Sequence, residues 1–272
     1  MRRTAYALLA SVLCSFSVGA QELDALWPSV GSQQGIPFNL ISAANSFAGG
    51  ASSIAVTLPI APANSVVIVG VYEYNGGGAP VTTSSVASAN LTFTKIKEYT
   101  FGSAPGQAVS LWLAPSAAGV SSEVITATLS ASNQYTVAYV FALTGTYSIT
   151  SPFDNNPNLP ANANNGSAVS VTTSQKRDLV VWFSQGAAVC TSGTSTSNQP
   201  PSGFSTINNG CLSTNTVDGA MGYLVVDHTL SAASYTATNA SAVMEEMVIA
   251  ITADPALFGG AGSVMRAPLT HW

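Results

Sequence analysis

Ala108-Val109-Ser110-Leu111-Trp112-Leu113 opens a stretch that runs to Gly145, and Gly219-Ala220-Met221-Gly222-Tyr223-Leu224-Val225 opens one that runs to Asp254. The two lie about 111 residues apart and carry the same features in the same order. An aromatic strand leads through a Ser/Ala-rich turn to a strand in which threonine alternates with apolar residues. That strand is Val124-Ile125-Thr126-Ala127-Thr128-Leu129 in the first copy and Tyr235-Thr236-Ala237-Thr238 in the second. A long apolar strand follows each, Thr136 to Leu143 and Met244 to Thr252. Period-two alternation and β-branched runs bounded by Gly, Ser and Asn are strand chemistry.

The match extends upstream. Ile54-Ala55-Val56-Thr57-Leu58 precedes Val66-Val67-Ile68-Val69-Gly70-Val71, as Ala168-Val169-Ser170-Val171-Thr172 precedes Leu179-Val180-Val181-Trp182-Phe183. Further strands are expected at Leu91 to Tyr99, Glu123 to Leu129, Tyr135 to Leu143, Tyr235 to Asn239 and Glu245 to Thr252. Outside the leader, no window has the capped 3.6-residue apolar period of a helix. Strands apolar on both faces belong in the middle of a stack of sheets. The expected fold is all-β, a jelly-roll-like antiparallel β-sandwich built from two similar halves, with two tandem Ig-like sandwiches as the alternative. The expected division is a leader (1–20), an N-terminal extension (21–52), a first β half (53–147), a Pro/Asn-rich crossover or linker (148–166), a second β half (167–254) and a Gly-rich tail (255–272).

Arg2-Arg3, the apolar run Ala5 to Val18 and the small residues Val18-Gly19-Ala20 form a cleavable export signal, too short an apolar run for a membrane span. The chain is therefore expected to be secreted, periplasmic or at the cell surface, without stable membrane insertion. In such a compartment Cys190 and Cys211, which bracket a Ser/Thr/Asn/Gly/Pro-rich insertion, are expected to pair. Only 7% of residues are charged. Once the leader is removed, five cations (Lys95, Lys97, Lys176, Arg177, Arg266) face twelve acids. That balance argues against nucleic acid and anionic lipid as partners.

Chemistry-bearing residues are few. Asp227-His228 is the one Asp-His pair, but neighbours on a strand point to opposite faces unless a turn begins there, so a solvated strand-end pair is expected. Glu245 and Glu246 open the last strand, one on each face, with Glu245 in phase with Met247, Ile249 and Ile251. An exposed strand entrance is the expected setting for Glu245. Asp154, Asn156 and Asn158 alternate oxygen donors as a calcium loop does, although Leu159 stands where an EF-hand needs glycine, and a run of Asx turns is the competing reading. Asp218 and His271 have less to support a role. Trp112, Trp182 and Tyr139 sit inside apolar runs and read as core. Tyr72 and Tyr74, ahead of Asn75-Gly76-Gly77-Gly78, and Phe204 are the candidates for ring stacking against a ligand. The apolar end of the tail, Met265 to Trp272, is a candidate for docking to another subunit.

The chain resembles a loose group of bacterial secreted and phage-associated jelly-roll or Ig-like β-sandwich proteins. The likeness lies in Ser110-Leu111-Trp112-Leu113-Ala114-Pro115, Gly119, the Val124-x-Thr126-x-Thr128 alternation, Gly145 and Ser151-Pro152-Phe153-Asp154. It implies a sandwich fold and a cell-surface or virion setting, and it carries no residue roles. The expected function is a non-enzymatic surface or extracellular module, glycan- or protein-binding or structural, without a cofactor. Self-association, a phage attachment role and a carbohydrate-active enzyme using Glu245, Asp227 and Asp154 are the alternatives.

Overall fold

The computed structural model describes residues 38–186, 197–212, 217–240 and 245–255. Its strands are β1 (Asn39–Ala61), β2 (Ser65–Asn75), β3 (Thr83–Ala87), β4 (Thr94–Phe101), β5 (Gly106–Ser116), β6 (Val120–Thr144), β7 (Ala161–Asn164), β8 (Val169–Val171), β9 (Asp178–Gly186), β10 (Ser205–Cys211), β11 (Asp218–Val225), β12 (Ala233–Tyr235) and β13 (Glu245–Thr252). All pairings are antiparallel.

Each half builds one central sheet, ordered β1-β6-β2-β5-β4 in the first and β10-β11-β9-β13-β7 in the second. The sheets pack face to face over Ile68, Tyr72, Val109, Leu111, Tyr139 and Phe141 from one side and Leu179, Val181, Phe183, Met221, Met247 and Ile249 from the other. The chain is thus an all-β sandwich whose core is shared by the two halves, which is why neither half stands as a sandwich of its own.

β2 and β9 are apolar on both faces, so each sheet needs a second cover. The β1–β6 ribbon supplies the first. β1 and β6 run for 23 and 25 residues, and their pairing is interrupted between Ala51 and Ser53. Beyond that break the ribbon lies over the outer face of its own sheet. Ile54, Val56, Leu58, Ile125 and Ala127 there bury Val67, Val69, Val71 and Trp112. The Ser42 hydroxyl donates to the Ile60 carbonyl and ties the two parts of β1 together. In the second half β8 and β12 form the equivalent ribbon, with Val169, Val171 and Leu230 over Val180, Trp182 and Val248. The repeat is visible in the registers. Val69 lies between Trp112 and Val140, and Val180 between Leu224 and Ala250.

Four expectations need correction. Residues 39–52 of the N-terminal extension are part of the fold, because β1 begins at Asn39. Its Ala/Ser/Asn-rich start has weak strand propensity and pairs because the apolar end of β6 requires a neighbour. Glu123 to Leu129 and Tyr135 to Leu143 belong to one strand, since Ser130 to Gln134 continue it without a turn. The expected strand Leu91 to Tyr99 runs from Thr94 to Phe101, and Tyr235 to Asn239 from Ala233 to Tyr235. The 148–166 segment is laid along β13: Asp154 N–H donates to the Ala250 carbonyl at 2.9 Å, Thr252 N–H to Pro152 at 2.8 Å, and β7 then pairs with Glu245 to Val248.

Two glycines separate close approach from mere smallness. A Cβ at Gly219 would collide with Tyr139 Oη and the Ser184 carbonyl, which are themselves hydrogen-bonded across the sheets at 2.9 Å. A Cβ at Gly70 would meet Phe183 at an ordinary 3.6 Å. Gly219→Ala is expected to lose about 1–3 kcal/mol in urea denaturation. Gly70→Ala is expected to leave the midpoint unchanged or raise it.

Candidate functional site

At the end of β2 the alternation Tyr72-Glu73-Tyr74 sends both tyrosines toward the opposite sheet and the glutamate to the outer face. Tyr72 is fully buried in the shared core, so its expected role as a surface ring is overturned. Tyr74 stands half-buried at the mouth of the gap between the sheets. It pairs in register with Tyr135 of β6, and the rings stack with centroids 6.1 Å apart and planes 17° from parallel. Asn75 Nδ2 donates to the Ala79 carbonyl at 2.9 Å, and Gly76 N–H donates to Gln134 Oε1 at 2.9 Å. The glycine turn is therefore tied to β6, with two amides beside two rings. Tyr135 and Gln134 escaped the sequence reading because only the β2–β6 register brings them to Tyr74. Phe204 is elsewhere. It lies half-buried on the outer layer of the second sheet, edge-on to Tyr235 at 5.0 Å.

Behind the mouth an aromatic column enters the core, Tyr72 edge-on to Tyr139 at 6.0 Å and Tyr139 against Phe183 at 6.1 Å. Acids surround it. Glu245 is 1% exposed, so the expected exposed strand entrance is wrong. β13 is flanked from its first residue, with Glu245 opposite Gln185 on one side and Asn164 on the other. Glu246 faces the outer layer and accepts the Trp182 indole N–H at 2.6 Å. Glu73 accepts the Thr83 hydroxyl on the outer face of the first sheet. Asp218, fully buried, accepts Asn198 Nδ2 at 2.6 Å.

Tyr72 Oη, Glu73 Oε2, Gln185 Oε1, Glu245 Oε2 and Glu246 Oε1 have no hydrogen-bond partner among the described residues. Burial penalises the charged form of a carboxyl that lacks donors. It drives Glu245 well above the ordinary carboxyl range, with Glu73 adding repulsion. It does the same to Glu73, against the Thr83 hydrogen bond. Burial raises Glu246 to about 7, although the Trp182 hydrogen bond acts in the opposite direction. Tyr72 is raised by burial and then by Tyr139, Glu245, Glu246 and Glu73. In each of these groups burial favours the protonated form.

The other acids lie at the opposite end. Asp154 accepts N–H from Asn156 at 2.7 Å and from Gln175 at 2.8 Å, and both the N–H and the hydroxyl of Ser174. Asn156 Oδ1 takes the Asn158 N–H at 2.9 Å. The Asp154 and Asn156 oxygens read as calcium donors are therefore already accepting hydrogen bonds, each including an Asx-turn bond to the N–H two residues on. Asp178, buried beside Asp154, is raised to about 7 by burial and then by that neighbour. Asp227 and His228 lie at the turn after β11, exposed and hydrogen-bonded at 2.8 Å. Along β9, Asp178 pairs with Thr252 and Gln185 with Glu245, a span of roughly 23 Å. Asp154 and Asp227 thus lie at the far end of the sandwich from Glu245.

Among the described residues no group of three His, Cys, Asp or Glu could hold a metal ion. A shallow groove of about 590 Å³ at the β5–β6 turn is lined by Asn90, Pro115, Gly119, Ser121 and their neighbours, without a titratable side chain. Cys211 is buried at the end of β10. Cys190, His271 and the tail lie outside the described residues. The chain matches no protein-family model, no curated protein and no solved structure.

The raised carboxyls make a prediction with a definite sign. Unfolded Asp and Glu release their protons near pH 4, whereas native Asp178 and Glu246 keep theirs to about 7. The native state binds more protons across that window, so stability falls as pH rises through it. Glu123 and Asp227, lowered chiefly by Asn90 and His228, act only below the ordinary range. The urea midpoint is expected to be higher at about pH 5 than at about pH 8, and Glu246→Gln to narrow the difference. A midpoint that climbs with pH would contradict this assignment.

Proposed function

We propose that this chain is an exported, non-enzymatic β-sandwich that binds neutral glycan outside the cell through the mouth between its sheets. The carrying observation is the half-buried Tyr74–Tyr135 stack with the Asn75 and Gln134 amides beside it. Two rings offer apolar faces to a sugar and amides serve its hydroxyls, with no ionised carboxylate required. The enzyme alternative asks Glu245, Asp227 and Asp154 to converge, and their placement at opposite ends of the sheet favours the binding reading. Export by residues 1–20 belongs to the same proposal.

The test is a glycan array and polysaccharide pull-down with residues 21–272, run beside product analysis on the same sugars. Binding without cleavage is the expected result, and Tyr74→Ala and Tyr135→Ala should each weaken it about tenfold, ~1.4 kcal/mol. Release of shortened sugars would overturn the reading.

A Cys190–Cys211 bridge is a further part of the proposal. It would close the loop that carries β10 and pin it to the second sheet. Thiol labelling of the unfolded, unreduced mature chain should find no free cysteine, and reduction should lower stability by about 3 kcal/mol. Two labelled thiols would remove the bridge from the proposal.

A further inference from the structure

The sheets end in edges of different character. β4 carries Lys95, Lys97 and Glu98, charges that oppose pairing with another strand. β7 has four residues, and β10 is broken by a register shift between Thr206 and Asn208. The first part of β1 has no such guard. From Ser42 to Ala51 its register with β6 does not shift, although Gly50 sits in the left-handed region at φ 67°. The stretch Ser42-Ala43-Ala44-Asn45-Ser46-Phe47-Ala48-Gly49-Gly50-Ala51 contains neither charge nor proline. Among the described residues β6 is its sole hydrogen-bonded strand. β10 packs against it without a strand ladder: Asn45 Nδ2 donates to Asn208 Oδ1 at 3.0 Å, and the Phe47 ring lies against the Gly210 backbone.

An unpaired edge presents a row of N–H and C=O groups about 33 Å long here, and what satisfies such a row is another strand. We infer that Ser42–Ala51 pairs antiparallel with the same segment of a second copy, about a two-fold axis near Ser46-Phe47, joining the two first sheets into one. Two features select a second copy. An antiparallel strand pairing with itself satisfies both open edges in one closed, isologous contact. The chain has a net charge of −5, so copies repel elsewhere, whereas neither this edge nor β10 beside it bears a charge. The inference stands apart from glycan binding, because the Tyr74–Tyr135 mouth contributes nothing to it.

The test combines light scattering after size exclusion with amide hydrogen exchange on residues 21–272. The expected result is a mass of two chains that persists on dilution, with every amide from Ser42 to Ala51 protected. Ser46→Lys and Asn45→Lys place like charges across the axis. Each should give a folded single chain, by circular dichroism, in which alternate amides of this stretch exchange fast. A single-chain mass for the unaltered protein, a dimer whose alternate β1 amides exchange fast, or a dimer that survives both lysines would overturn the inference. Exchange on the unaltered protein decides the matter even where a lysine variant fails to fold.

Discussion

The structure depends on covering both faces of two central strands. β2 and β9 are buried along most of their length, and a strand apolar on both sides has no stable place at a solvated surface. One face of each is satisfied by the other half. The second needs a further layer, so β1 and β6 fold back over the first sheet while β8 and β12 cover the second. The four-layer order follows from that single constraint, and so does the shared core that makes the halves one body.

Glu245, Glu246 and Asp178 sit at the ends of the second sheet's strands. Seven Lys and Arg stand against twelve Asp and Glu in the chain, so counter-ions are scarce. Asp154 is held by N–H and hydroxyl donors, and Asp218 by an amide. Glu245, Glu246 and Asp178 open strands that are flanked from the first residue, and burial there raises their carboxyls.

Much of the fold was legible. Trp112, Trp182 and Tyr139 are core as their apolar runs imply, and the repeated order of strands is the repeated order of sheet positions. The start of β1 and the short β7 and β10 were not legible, because their Ala, Ser and Asn residues become strand only beside an apolar edge. Of the candidate site, Tyr74 and Asn75 are suggested by a ring and an amide ahead of a glycine turn. Tyr135, Gln134 and the burial of Tyr72 are not, since they depend on which residue of β6 lies opposite β2.

The amino-acid sequence alone determined an all-β chain of two similar halves, because period-two alternation and β-branched runs are local properties. It also determined the scarcity of charge that leaves buried acids unpaired. Tertiary structure decided which face each residue meets. It placed Glu245 and Asp227 at opposite ends, stacked Tyr74 on Tyr135 and gave the start of β1 a single partner strand among the described residues, since register and layer order arise only when strands distant in sequence pair.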